Sequence, residues 1–176
     1  KWGRYALIYN GELYNYLELK QNLSAKGYEF TSSSDTDVVL NTLIEYGVDA
    51  LSMFNGMYSL ALWDVHKERL LLARDRFGIK PLYYYQDDKA LVFGSEIKTI
   101  ISSGKYHKGT NFQGLHEYMW FGNALGDNTL YEGVSKILPG QYLMVDKSGI
   151  SKVRYWSIES TPENNVGRGV AIRDVS

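Results

Sequence analysis

Cysteine is absent from all 176 residues. That absence excludes disulfides, cysteine-based metal sites and any thiol nucleophile within the sequence. A core without disulfides is compatible with the cytoplasm, the compartment expected here. Long hydrophobic runs are also missing. The longest apolar stretches, such as Tyr5–Tyr9 and Leu60–Trp63, fall far short of the roughly 20 residues that span a bilayer. Net charge is only −1, so no overall field attracts nucleic acid or anionic lipid, and neither is expected as a partner. Histidine is scarce. His66, His107 and His116 are scattered without metal-ligand spacing and read as surface or packing residues, so no metal site is expected. No signal-like start is visible, and Lys1-Trp2 is not a natural initiator, so the true N-terminus is expected elsewhere.

What is present is a normal globular balance, 44% hydrophobic and 22% charged, enough to bury most of its apolar surface in one core. The 15 tyrosines suit half-buried sheet faces. Tyr5–Tyr9 reads as a buried strand ending at Asn10-Gly11. Leu17 to Lys26 reads as a short helix closed by Gly27. Ser34-Asp35-Thr36-Asp37 fits a capping box before a helix that ends near Gly47, with a helical turn over Val48–Phe54. Met57–Asp64 is apolar with little interruption, a strand covered on both faces, and Arg69–Arg74 and Leu82–Gln86 read as its neighbours. Ala90–Gly94 is a strand after the Asp87-Asp88 turn. Ile97–Ser102 and Gln113–Phe121 read as helices. Gln141–Val145 and Val153–Trp156 suggest a hairpin around Lys147-Ser148-Gly149. Hairpin-length spacing between strands predicts an α+β layered domain with antiparallel sheets. Residues 1–157 form that domain, and the polar segment 158–176 reads as a linker or tail.

Three segments could carry chemistry. In Tyr9-Asn10-Gly11-Glu12, the Asn-Gly pair between apolar segments is the strongest short hairpin signal. The same residues could form an oxyanion site, with the Asn10 amide and the Gly11 N–H aimed at one developing negative oxygen. Glycine would let a substrate approach the backbone closely, and Glu12 could bind an ammonium group. Asp35 could complement its helix dipole, or it could join Glu12 in holding the α-ammonium of an amino acid. Spacing alone does not choose between these. The run Arg74-Asp75-Arg76-Phe77-Gly78-Ile79-Lys80-Pro81 is explained by a tight, salt-bridged turn; it lacks the Gly-rich cradle of a phosphate site.

Taken together, these segments resemble the glutaminase domain of asparagine synthases. Tyr9 to Tyr16 is similar to its signature, Ser34 to Asp37 to the following helix start, and Phe54 to Asp64 to its central strand. The Arg74-to-Tyr84 run, Ser95-Glu96-Ile97-Lys98, Ile137-Leu138-Pro139-Gly140-Gln141-Tyr142 and Arg154-Tyr155-Trp156 follow in order, over nearly all of residues 5–156. The resemblance implies a class II glutamine amidotransferase domain with the N-terminal-nucleophile (Ntn) αββα fold, two antiparallel sheets between helical layers. It implies that glutamine is hydrolysed to glutamate and ammonia through a cysteine thiolate whose own α-amino group is the base. Asn10 and Gly11 then match the oxyanion hole, Gly11, Glu12 and Asp35 match glutamine-binding positions, and Arg74, Asp75 and Gly78 match a motif read as architectural.

The sequence departs from that pattern in two places. The segment with the nucleophile and an arginine for the glutamine carboxylate would precede Lys1. The C-terminal synthetase domain, which would use ATP and magnesium to amidate aspartate, has no counterpart here. The chain alone is therefore expected to be inactive, with no cofactor of its own. Its expected partners are glutamine and the synthetase domain of the same polypeptide, and a homodimer is compatible with the resemblance. Alternatives are a non-hydrolysing relative of the kind that closes β-lactam rings, or another class II amidotransferase. The Glu-x-Tyr-Asn continuation and the Ile-Leu-Pro-Gly segment argue against the latter.

Overall fold

Tyr5, Leu7 and Tyr9 turn one way from the first strand, onto an apolar cluster, and Ala6, Ile8 and Asn10 turn the other way and stay exposed. The computed structural model describes residues 3–30 and 32–158. Its elements are β1 (Tyr5–Leu13), α1 (Tyr16–Ala25), α2 (Asp35–Tyr46), a 3₁₀ turn (Gly47–Asp49), α3 (Ala50–Met53), β2 (Gly56–Asp64) and β3 (Arg69–Arg74). There follow β4 (Tyr83–Gln86), β5 (Leu91–Gly94), α4 (Ile97–Ile101), α5 (Phe112–Phe121), β6 (Val134–Lys136), β7 (Gln141–Asp146) and β8 (Gly149–Arg154). The strands form two antiparallel sheets, β1-β2-β3-β7-β8 and β5-β4-β6.

Three apolar clusters give the layering. Leu19, Leu23, Val38, Val39 and Leu43 of α1 and α2 pack with Leu13, Tyr58, Leu60 and Leu62 on one face of the first sheet. Ala61, Leu72, Leu82, Tyr84, Ile137 and Leu143 fill the space between the sheets. Tyr85, Ile100 and Val134 join the second sheet to α4. The order is helices, sheet, sheet, helix, the αββα arrangement expected. Leu72, Ile137 and Leu143 are wholly buried. Each contributes about 1.5–3 kcal/mol by leaving water. β2 is covered on both faces, as its unbroken apolar run predicts.

Several expected boundaries give way. Asn10-Gly11 is not a hairpin: β1 runs through it, pairing residue for residue with β2 from Tyr5↔Asp64 to Leu13↔Gly56. β1 is also half-exposed, not buried on both faces. The segment at Leu82–Gln86 is not a neighbour of β2; its strand, β4, pairs with β5 and β6 in the other sheet. The hairpin of β7 and β8 turns at Lys147-Ser148, with Asp146 facing Gly149, so its second strand lies earlier than the expected Val153–Trp156. Ser34 caps α2 by accepting from Thr36 N at 3.2 Å, while Asp37 turns instead to Asn41 Nδ2 at 3.0 Å, so the box is half formed. The linker assigned to 158–176 lies outside the described residues from 159 onward, as do Lys1 and Trp2.

The turn between β3 and β4 explains the change of sheet. Arg74 and Asp75 do not pair with each other, contrary to the salt-bridged turn expected; each binds backbone. The wholly buried Asp75 carboxylate accepts from the N–H groups of Phe77, Ile79 and Lys80 at 3.0 Å and of Tyr58 at 3.3 Å. Arg74 donates to the carbonyls of Gly78, Lys80 and Ile137 at 2.6–2.8 Å. A buried charge is tolerated when its hydrogen-bonding capacity is filled in this way. Gly78, at φ 67°, supplies the left-handed residue that the turn requires. Arg74, Asp75 and Gly78 are thus architectural.

Candidate active site on the edge strand

β1 lies at the edge of the first sheet, so alternate residues present their N–H and C=O groups outward. Val65 N donates to Arg4 O at 2.9 Å and Tyr14 N to Asn55 O at 2.8 Å, which turns the even-numbered residues of this stretch toward β2. Leu13 N instead donates outward, to Asp35 Oδ2 at 2.9 Å. With no extra residue in the register between, the alternation points the Gly11 N–H out of the free edge. A hydrogen-bond donor is therefore presented at the position that the sequence marked.

The missing side chain of Gly11 serves packing. A Cβ there would lie 2.7 Å from Tyr58 Cα on β2. The space that glycine opens is filled by the neighbouring strand, which corrects the expectation that it admits substrate to the backbone. What remains for a ligand is the outward N–H.

Asn10 extends from the exposed face of β1, and its Nδ2 donates to Ser95 Oγ at 3.2 Å. Ser95 directly follows β5, so the bond crosses from one sheet to the other. A primary amide carries two N–H donors, and Ser95 occupies one. A cavity of about 120 Å³ adjoins the pair, bordered by Ile8, Ala61, Leu82, Phe93 and Gly94. Ser95 has no assigned role in the sequence reading. Its signal was there, in the collinear Ser95-Glu96-Ile97-Lys98 segment.

Asp35 opens α2 and reaches the end of β1. Its Oδ2 accepts from Leu13 N and from the Tyr9 hydroxyl at 3.1 Å. Burial raises the Tyr9 pKa above the ordinary phenol range, and the charges of Asp35 and Glu12 raise it further. Glu12 is exposed on β1, and Asp35 touches the peptide that joins it to Leu13. The structure thus brings the two acids to one end of β1. Asn10 lines the cavity; Gly11 and Glu12 follow it on β1, and Asp35 reaches the same strand from α2 at Leu13 N. A larger cavity, about 500 Å³, lies on the helix-facing side of the first sheet and holds none of the four. Two of its charged residues, Arg69 and Asp146, pair with each other at 3.2 Å, so its size does not signal chemistry.

Among the described residues there is no cluster of histidine, aspartate or glutamate that could hold a metal ion. No helix among them is long and apolar enough to cross a membrane.

Comparison with known proteins identifies the family and the fold. A family model described as a glutamine amidotransferase domain matches residues 1–156. The chain is 37% identical over 161 residues to asparagine synthetase [glutamine-hydrolyzing] 3 of Bacillus subtilis, covering 91% of this chain and 26% of that protein. It is 38% identical over 145 residues to asparagine synthetase [glutamine-hydrolyzing] 1 of the same organism, covering 82% and 23%. The chain thus spans about a quarter of the length of these relatives. A solved structure of glutamine phosphoribosylpyrophosphate amidotransferase from B. subtilis aligns with a TM-score of 0.61 at 24% identity, covering 89% of this chain and 30% of that one. That likeness shows the fold alone.

Proposed function

The chain belongs to the glutamine amidotransferase domain family, and from that premise we propose that it is the glutaminase portion of an asparagine synthase. In this reading it releases ammonia from glutamine for the ATP- and magnesium-dependent amidation of aspartate by a synthetase portion of the same polypeptide. The observation that carries the reading is the pairing of two oriented donors, Asn10 Nδ2 and the outward Gly11 N–H, with two carboxylates at the same strand end.

A thiolate adds to the side-chain amide carbon of glutamine, and the carbonyl oxygen takes up negative charge. Asn10 and Gly11 donate to that oxygen. The amide nitrogen takes up a proton and leaves as ammonia, and water cleaves the resulting thioester to glutamate, freeing the thiol. Donors fixed in advance cost no reorganisation as charge develops, and one such donor is worth about 10²–10³ in rate. Glu12 and Asp35 hold the α-ammonium of glutamine; Tyr9 and Leu13 N–H fix the Asp35 carboxylate. The thiolate is not supplied by these 176 residues, which contain no cysteine.

The test compares ammonia release from glutamine by this chain and by the complete polypeptide. The proposal expects none from the chain alone and glutamate plus ammonia from the complete protein, in the cytoplasm where its substrates are. Measurable release by the chain alone would assign the nucleophile to one of its own residues and overturn the thiolate reading.

A further inference from the structure

Arg76 and Arg154 have no anion beside them among the described residues: neither lies within ion-pair distance of a carboxylate, whereas Arg4 pairs with Asp64 at 3.1 Å and Arg69 with Asp146 at 3.2 Å. Arg76 keeps one donor on Ser52 O at 2.7 Å, while its Nε is buried with no partner. Both arginines line one cleft of about 470 Å³ with Phe77, Leu138, Pro139 and Trp156. Phe77 is 69% exposed and meets Trp156 edge-on, ring centroids 5.1 Å apart. Ser157 and Ile158, the last of the described residues, continue the wall.

We propose that the cleft receives an acidic segment bearing an apolar side chain, contributed by the synthetase portion of the same polypeptide. It is then the surface on which the two portions dock. Unpaired guanidinium groups select a carboxylate, which each can grip through two parallel bonds. The exposed Phe77 ring and the half-buried Trp156 ring beside them match the composition of interface centres, where aromatic residues and arginine are enriched. The cleft also touches the machinery that holds the strand edge. Tyr155, between Arg154 and Trp156, donates to Arg74 O at 2.8 Å and lies 2.8 Å from the Tyr58 hydroxyl. Tyr58 faces Gly11 across the sheet. Docking at Trp156 therefore lies two contacts from the outward Gly11 N–H.

The inference rests on the domain being the ammonia-supplying part of a longer chain, and its test separates the two. In the complete polypeptide, Arg154→Glu reverses the charge of an exposed side chain that makes no bond within the domain. The readouts are the glutamate released per amide product formed and the hydrogen exchange of residues 76–79 and 154–158. The expected result is a rise of about fivefold or more in glutamate per product. Ammonia-dependent synthesis stays unchanged, exchange quickens at both segments, and Arg154→Lys behaves nearly as wild type. Phe77→Ser tests the same surface through its exposed ring, with the same expected exchange, should the charge reversal fail to fold. Unchanged exchange at both segments in the folded variants overturns the docking surface. A wild-type protein that hydrolyses no glutamine overturns the functional reading instead, and exchange still decides the contact.

Discussion

Asn10 on the edge strand of one sheet is joined to Ser95 at the end of a strand in the other, amide nitrogen to hydroxyl, at 3.2 Å. The bond orients an otherwise exposed amide and uses one of its two N–H donors.

Ser95→Ala should therefore act through Asn10. With the complete protein, glutamine-dependent kcat should fall by about tenfold, because a displaced donor loses part of its stabilisation. KM and thermal stability should change little. Steady-state kinetics check this; an unaltered kcat would mean that Asn10 is oriented without Ser95.

Gly11→Ala places a methyl group against the backbone of β2. Overpacking of this kind costs about 1–3 kcal/mol. The strands must part where Gly11 faces Tyr58, so the Gly11 N–H shifts as well. Denaturant unfolding should show the lost stability and glutamine hydrolysis should fall with it. Full stability in the variant would contradict the close approach of β1 and β2.

Asp35 accepts from Leu13 N and Tyr9, and the proposed function adds the ammonium of glutamine; one substitution separates the two. Asp35→Asn removes the charge but keeps an oxygen that can accept from Leu13 N or Tyr9. Loss of a charge-assisted contact to the ammonium should raise the KM for glutamine about tenfold or more, with a smaller change in kcat. A lowered melting temperature with unchanged KM would leave Asp35 as a strut between α2 and β1 only.

The sequence was most legible where local chemistry and packing agree. The Ser34 cap, the two-faced burial of β2 and the helices around Leu19 and Ile100 follow from spacing, and the αββα order from the resemblance. Asn10-Gly11 misled because its hairpin signal is local, whereas nine residue pairs with β2 hold the strand straight through it. β4 was assigned to the wrong sheet because the change is made by Asp75 and Arg74 binding distant backbone groups, which no periodicity reveals. β6, three residues long, leaves too short a pattern to read. In the site, residue types were legible. The Ser95 contact and the outward turn of the Gly11 N–H were not, because both depend on how strands pair.

Acid should weaken the fold in a defined window. Hydrogen bonds from Arg4 hold the buried Asp64 carboxyl at about 2, below its ordinary 3.8, helped by the Lys67 and His66 N–H groups. A depressed folded-state pKa gives stability that is full above 3.8 and is lost as pH falls toward about 2. Asp64→Asn should flatten the acid limb of the melting-temperature profile below about pH 4. An unchanged limb would place the acid sensitivity in other carboxylates.

The most direct test of the strand-edge site is the pair of activities of Asn10→Ala in the complete protein. With glutamine as nitrogen donor, turnover should fall by about 10²-fold or more, while turnover with ammonia stays near wild type. An equal fall in both activities would contradict the account, since Asn10 would then hold the fold together without stabilising the oxyanion.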